Sequence, residues 1–491
     1  MEIAAQRGDQ AGGADPVIPH QLIKDLVGEL GLREDIIEKD YVIGWLLWGI
    51  GSDPKLTTTW IFKGGTCLKK CYRETYRFSE DLDFTVLPNG PIKAADLSSI
   101  LEPLLARIYE ASGIDFTIKA PYFRDRPGGL ATEGRIYYRG PRNAPMAGTV
   151  KLDLNADEKV ARPSVLRKIA HPYTDSLPDP GTVRCYAFEE VFAEKLRAVG
   201  ERCRPRDVYD VVHLFWDPSL QAAPDLIRNV LIEKCRTKAV AVPKMEDIEH
   251  SRFRAELESE WSNMLAHQLP TLPPFDHFWT ELPKVFAWLE ERVPKEALAP
   301  MRLGAEELPE WTPPPDVWTL GAGVPLESLR YAATNHLCIE LVYRNEQGAL
   351  NTRVIEPYSL RRTRAGHLLL HAVKVPTQES RTYRIDRIQS IKVTTQPFTP
   401  KYQIEFSPSG LINAPPSAPK ARLGIFQGAR APRPRTGRVR THLGPTYIIE
   451  CSACGKRSSR SKHDTRFKPH KSKDGWDCSS RSGYLVDTRY S

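Results

Sequence analysis

Two aspartates two positions apart in an apolar run, Asp81 and Asp83 of DLDFTV, constrain this chain more than any other feature. A strand has a side-chain period of two, so both carboxylates project from one face while Leu82 and Phe84 point the other way, toward a core. Adjacent carboxylates repel unless a cation lies between them. Oxygen-only ligands suit hard Mg²⁺ (or Mn²⁺), which takes the rest of its shell from waters and substrate phosphates. Upstream, WIFKGG places Gly64 and Gly65 directly after a hydrophobic run. With no side chain in the way, their backbone N–H groups can approach phosphate oxygens. The order strand, glycine turn, helix, D-x-D strand supplies what is needed to hold a metal-bound nucleoside triphosphate (NTP). A surface hairpin with acidic residues is the plain alternative, and the order of the elements argues against it.

Three later segments add chemistry. TVKLDLN at 149–155 alternates like a half-buried strand, with Lys151 and Asp153 on one face and Val150, Leu152 and Leu154 on the other. A third carboxylate beside D-x-D would bind metal or activate an incoming hydroxyl; a Lys–Asp pair on a solvated face is the competing reading. In FEEVFAEKLRAV at 188–199, Phe188, Val191, Phe192, Leu196 and Val199 form one helical stripe with Lys195 near its middle. An ammonium there must snorkel or meet an anion, and a triphosphate is the expected partner. Asp207 follows Arg204-Pro205-Arg206 and opens a helix with Val208, Val211, Val212 and Phe215 on its apolar face. It is either an N-cap or a site residue.

These segments, with IEKDYVIGWLL at 37–47, FKGGTCLKK, RFSEDLDF and RCRPRDVYDVVHL at 202–214, resemble the AbiEii-type nucleotidyltransferase family of type IV toxin–antitoxin systems, over roughly residues 20–300. The resemblance implies transfer of NMP from an NTP to an acceptor hydroxyl, such as that of a tRNA 3′ end, by a toxin or anti-phage defence effector. It implies Asp81, Asp83, Asp153, Lys195 and Asp207 as catalytic residues, with Mg²⁺ on Asp81 and Asp83. The nucleotide would be held by Lys63, Gly64, Gly65, Thr66, Ser79, Lys151, Lys195, Arg204, Arg206 and Asp207. Arg206 stands where the family more often has lysine. A separate antitoxin protein is an implied partner.

From about 325 to 407 the pattern changes to alternating strands: CIELVY, TRVIEPYSL, GHLLLHAVKV and RTYRIDRIQSIKVT. With LRYAATNHLCIELVYRN and R-x-I-E-P-Y at 353–358, this resembles a WYL domain, a small SH3-like β module. His367, Leu368 and Leu369 occupy its name-giving positions. Arg353, Arg381, Arg384 and Arg387 are candidates for an anionic or nucleic-acid ligand surface, against a reading as ordinary exposed strand positions.

The last segment carries Cys451-x2-Cys454, two thiolates on one tight turn, as in a zinc knuckle. Cys478 and either His470 or His463 would complete the set around Zn²⁺, with His470 preferred. So short a segment needs a staple to fold. Its Lys and Arg residues, with Tyr447, Trp476 and Tyr484, suit phosphates and bases. The other six of the nine cysteines are scattered and read as small buried residues.

Charge is uneven. From Lys420 onward there are 17 Lys and Arg against 5 Asp and Glu, a net +12, so the preceding chain carries −4 of the total +8. A basic tail on an acidic body points to a polyanion such as tRNA or other RNA or DNA. A solubilising tail is the competitor for 413–445. The run at 42–50 is short and amphipathic, no run reaches a bilayer-spanning length, and no secretion signal leads the chain. A cytoplasmic protein without membrane contact is expected.

The expected architecture is a multidomain α+β protein: a nucleotidyltransferase-type mixed sheet with a helical half, then the SH3-like β domain and a short zinc ribbon. Boundaries fall at 1–217 for the transferase core, 218–302 for the helical region, 303–323 for a linker, 324–409 for the WYL-like domain, 410–445 for a basic linker and 446–491 for the ribbon. A non-enzymatic regulator, binding nucleic acid through the last two modules, is the alternative function.

Overall fold

The alternating runs at 81–86 and 148–155 become neighbouring strands at the middle of a mixed seven-stranded sheet. The computed structural model describes residues 18–73, 77–217, 224–249, 253–293, 295, 297–309, 311, 326–406, 446–460, 462, 464–472 and 476–489. Strands β1 (Trp60–Lys63), β2 (Asp81–Val86), β3 (Tyr122–Asp125), β4 (Ala131–Tyr138), β5 (Gly148–Asn155), β6 (Val165–Lys168) and β7 (Thr182–Cys185) lie in the order β3-β4-β5-β2-β1-β7-β6. β2 runs antiparallel to β1 and parallel to β5. As the period of two requires, Leu82, Phe84, Leu152 and Leu154 are buried. They pack with Trp45, Phe62 and Leu104.

Helices α1 (His20–Leu30), α2 (Glu34–Ser52), α3 (Leu56–Thr59), α4 (Gly64–Cys67) and α5 (Ala94–Ser112) accompany this sheet. The run at 42–50 belongs to α2, which is buried on nearly every side rather than amphipathic. The three charged residues of its EKD triplet each have a partner. Lys39 pairs with Glu80 at 2.7 Å, Asp40 with Lys70 at 2.7 Å, and Glu38 accepts the backbone N–H of Arg142 at 2.8 Å. A buried charge without such a partner would cost several kcal/mol, about 3–5 when one member of a pair is removed. The EKD triplet is therefore a set of anchors that fixes α2 to the elements around the glycine turn.

The helical half comprises α6 (Phe188–Arg202), α7 (Pro205–Trp216), α8 (Pro224–Thr237), α9 (Met245–Glu249), α10 (Phe253–Leu265), α11 (Phe275–Trp279) and α12 (Leu282–Leu289). Then α13 (Leu326–Thr334) leads into a five-stranded antiparallel sheet of β8 (Leu337–Arg344), β9 (Leu350–Arg362), β10 (Leu368–Lys374), β11 (Glu379–Arg384) and β12 (Ile388–Pro397), in the order β11-β10-β9-β8-β12. A single turn at Ile385–Arg387 splits RTYRIDRIQSIKVT into two strands. One hydrophobic cluster runs through both parts, joining Leu196, Val212, Phe278 and Trp288 to Leu329, Leu341 and Leu370. Asn335 fastens the seam, accepting from Tyr209 Oη at 2.8 Å and His213 Nε2 at 2.9 Å. Part of the expected linker is fastened too: the Leu308 N–H donates to the Arg362 carbonyl at 2.9 Å, and His371 meets Glu307 at 2.8 Å.

The last segment forms a three-stranded sheet of β13 (Thr446–Cys451), β14 (Arg457–Arg460) and β17 (Gly483–Arg489), with the short pair β15 (His470–Lys471) and β16 (Asp477–Cys478) beside it. The expected basic linker at 410–445 lies outside the described residues, as does most of 303–323. Among the described residues no helix is long and apolar enough to cross a membrane.

Burial of His213, despite its hydrogen bond to Asn335, pushes its imidazole down to about 3. Below its ordinary value of 6.5 the unfolded chain takes up a proton that the fold refuses, so stability falls as pH drops from 6.5 toward 3. At pH 5 this one group is expected to cost on the order of 2 kcal/mol. Thermal unfolding at pH 7.5, 6 and 5 checks it. The decline should be shallower in His213→Gln, which can still donate to Asn335.

Candidate active site

The sheet register builds the site. Asp83 lies opposite Asp153 in the parallel β2–β5 pair and opposite Lys63 in the β1–β2 pair, and Asp81 lies opposite Lys151. Three carboxylates thus meet across two adjacent strands. Lys151 Nζ is 3.7 Å from Asp81, and Arg126 is 3.2 Å from Asp153. Burial, and then the charges of Asp81 and Asp153, push the Asp83 carboxyl up to about 7. Burial and Asp81 raise Asp153 as well. A divalent cation among these oxygens would relieve that repulsion, and an all-oxygen donor set fits Mg²⁺ or Mn²⁺.

The glycine turn closes over the same point. Gly64 has φ +81°, and a Cβ there would lie 2.4 Å from Asp83 Oδ2. A Cβ on Gly65 would lie 2.6 Å from the Arg77 guanidinium and 3.2 Å from Ser79 Oγ. Gly64→Ala is expected to displace the Asp83 carboxylate, with left-handed strain of about 1–3 kcal/mol. Transfer activity should fall at least tenfold while the circular-dichroism spectrum is retained; a fully active variant would remove the turn from the site.

A pocket of about 340 Å³ brings together Lys63, Gly64, Gly65, Asp83, Asp153 and Lys195. Glu158, Glu194, Arg126 and Arg202 share its wall, and none of these four is evident from sequence. Lys63 is buried between Glu158 and Glu194, whose charges outweigh the cost of burial and raise its pKa.

Several expected contacts are different. The hydroxyl of Thr66 is 1% exposed and donates to the Asp81 carbonyl, so it ties the turn to β2 instead of pointing at phosphate. Lys195 already has an anion: Asp210 at 2.7 Å, with Asp207 at 4.0 Å. The N-cap of α7 is Arg204, not Asp207. Asp207 is buried and takes a two-pronged contact from Arg202 at 2.8 and 3.0 Å. Arg204 is exposed and outside the pocket lining, whereas Arg202 is inside it. Arg206 reaches toward the Met264 carbonyl at 3.5 Å and feels the charges of Glu80 and Asp81.

Asp210 is the residue sequence reasoning missed. It accepts two hydrogen bonds from Arg77, both at 2.7 Å, besides its contact with Lys195. Burial opposes its charge, but the two cations hold its pKa well below the carboxylate range. One carboxylate therefore positions a pocket cation and the guanidinium that packs beneath Gly65.

At the C-terminus, one ligand atom from each of Cys451, Cys454, His470 and Cys478 lies within 4.8 Å of the others. His470 Nε2 is 3.3 Å from Cys454 Sγ, and its Nδ1 is 3.0 Å from the Lys468 carbonyl. A proton on Nδ1 leaves Nε2 as the ligand atom. His463 lies outside the described residues. The six other cysteines are buried, and Cys67, Cys71 and Cys185 cluster in the core. In the β module, Arg381, Arg384 and Arg387 are paired with Glu379 (2.6 Å), Asp386 (2.7 Å) and Glu346 (3.2 Å). Arg353 and Arg381 both act on Tyr383, whose ring meets that of Tyr343 at 5.2 Å.

Residues 45–287 match the family described as nucleotidyl transferase AbiEii toxin, type IV TA system, and residues 325–393 match the WYL domain. Among solved structures, the nucleotidyltransferase toxin MenT4 from Mycobacterium tuberculosis is 20% identical, with 56% of this chain and 90% of that one covered at a TM-score of 0.40. Proteasome accessory factor B/C of Arthrobacter aurescens is 16% identical, covering 39% of this chain and 24% of its own, at a TM-score of 0.15. Among curated proteins there is no match.

Proposed function

This chain carries an AbiEii-type nucleotidyltransferase domain over residues 45–287 and a WYL domain over 325–393, and from that premise we propose that it transfers NMP from a metal-bound NTP to a hydroxyl at an RNA 3′ end, tRNA being the leading acceptor. Its biological role in this reading is that of a toxin or anti-phage effector, restrained by a separate antitoxin. What supports the reading is the convergence of Asp83 and Asp153 on one pocket with the glycine turn, with Asp81 beside them on the same face of β2.

Asp81 and Asp83 would hold the divalent ion, which when bound supplies Lewis-acid polarisation of the phosphoryl oxygens. The backbone N–H groups of Gly64 and Gly65 approach the triphosphate, and Lys63, Lys195 and Arg202 balance its charge. Asp153, its pKa raised, accepts the proton of the incoming hydroxyl. The acceptor oxygen bonds to the α-phosphorus, the bond to the bridging oxygen breaks, and pyrophosphate leaves. At the C-terminus, Zn²⁺ on Cys451, Cys454, His470 and Cys478 would be a structural ion, since four protein ligands leave no open position.

The test is incubation of the protein with Mg²⁺, tRNA or total RNA, and each α-labelled NTP in turn. Label in RNA with matching pyrophosphate release, abolished by chelator, is expected. No transfer from any NTP to any acceptor would overturn the reading and favour a regulator that only binds nucleotide.

A further inference from the structure

Asp153 and Arg126 line two cavities at once. One is the glycine pocket; the other is a cleft of about 1000 Å³ between the β3–β4–β5 edge of the main sheet and the C-terminal ribbon. A transferase needs such a pair, because its two substrates must meet at the reacting bond. The sheet wall of the cleft presents Lys119, Arg124, Arg126, Arg135 and Lys151, and the ribbon adds Arg457. Against these six cations stand two carboxylates in the lining, Glu133 and Asp153, and two behind it, Asp81 and Glu450, which pair with Lys151 and Arg457; the balance stays positive, so the cleft suits a polyanion. Two aromatic side chains line it in the open: Tyr122 on the sheet side, 54% exposed, and Trp476 on the ribbon side, 76% exposed. Exposed aromatic faces stack on unpaired bases, not on bases already stacked in a duplex.

The ribbon is seated, not merely tethered. Tyr484 stacks on His267, with ring centroids 5.7 Å apart and planes at 20°, and Arg33 donates to the Gly483 carbonyl at 3.5 Å. Met264 and Met146 of the transferase pack with Ile449, Phe467 and Leu485 of the ribbon. Two of the four clustered metal-ligand candidates, Cys451 and Cys478, lie in that same apolar contact.

We propose that the metal-stapled ribbon is the second wall of the acceptor site: a single-stranded polynucleotide lies in this cleft, its bases stacked on Trp476 and Tyr122, its phosphates on the cations, and its 3′-terminal hydroxyl at Asp153. The proposal rests on the transfer reading for its chemistry, but its test needs no turnover. The full-length, metal-loaded protein is titrated with a fluorescent single-stranded RNA 12-mer, the DNA of the same sequence, and the RNA duplex, at two salt concentrations. Trp476→Ala and Arg124→Glu, both at exposed positions, are compared with wild type; metal content reports that the ribbon is intact, and equilibrium dialysis reports NTP affinity. Trp476→Ala is expected to weaken single-strand binding about tenfold or more. Arg124→Glu should weaken it and flatten its salt dependence. NTP affinity and metal content should stay unchanged in both variants. Equal affinity of wild type and both variants, or preference for the duplex, overturns the proposal. Tighter binding of RNA than of DNA identifies a ribonucleotide acceptor within the proposal, and the reverse identifies a deoxyribonucleotide one. If wild type binds the strand as described yet transfers nothing, the transfer reading fails and the cleft stands. If wild type transfers and the variants bind normally, the cleft fails alone.

Discussion

Asp83→Asn is expected to abolish most nucleotidyl transfer, by about 10³-fold, without destabilising the protein. The amide keeps the volume and one acceptor oxygen of the carboxylate but removes its charge, and with it much of the hold on a divalent ion. Loss of about 4 kcal/mol of transition-state stabilisation, within the several kcal/mol a metal supplies, gives that factor. Stability should move the other way. The carboxyl of Asp83 is pushed up to about 7 by burial and by Asp81 and Asp153, so the metal-free fold is strained by its charge at neutral pH. Removing the charge relieves Asp81 and Asp153, and the melting temperature of the metal-free variant should match or exceed that of wild type. A labelled-NTP assay beside thermal unfolding reads both signs. Retained activity refutes the assignment of the metal to this pair.

Asp210→Ala is expected to damage both stability and activity. Arg77 and Lys195 would lose the carboxylate they share in a fully buried setting. Breaking a buried ion pair by removing one partner costs about 3–5 kcal/mol, and here two cations are left. The melting temperature should fall by roughly 5 °C. Catalysis should suffer through the NTP: Lys195 lines the pocket and Arg77 packs under Gly65, so KM for NTP should rise more than kcat falls. Asp210→Asn separates charge from geometry, because an amide can still accept from one of its two partners. If it behaves like wild type, the hub is a hydrogen-bonding device and the charge is dispensable.

What could be read in the sequence followed from periodicity. The period of two placed Asp81 and Asp83 on one face and Leu82 and Phe84 in the core, and the same rule placed Asp153 opposite Leu152 and Leu154. The stripe of α6 was equally plain. Pairing between distant strands was not, because register is decided by tertiary packing; the Asp83–Asp153 juxtaposition had to be inferred from family resemblance. Asp210 escaped for a related reason. On α7 it sits away from the valine stripe, and helical spacing reads such a position as solvated. That side is buried because Arg77 and Lys195, distant in sequence, close over it. Thr66 shows the reverse error, a hydroxyl beside a glycine turn that serves the backbone rather than a ligand. The three cysteines Cys451, Cys454 and Cys478 were legible from spacing, with His470 or His463 as the fourth ligand, but their seat on the transferase was not, since nothing local to Tyr484 announces His267 as its neighbour.

The apolar cluster that passes from α7 and α11 into α13 and the second sheet has a thermodynamic corollary. Neither portion owns a complete interior, so calorimetry should give one endotherm for residues 18–406 in place of two. A chain cut before α13 would bare Tyr209, His213 and Phe278 and be expected to aggregate. Any event that shifts Asn335 is felt one helical turn away from Asp210, which makes the β module a fixed structural partner of the transferase domain, not a detachable appendage.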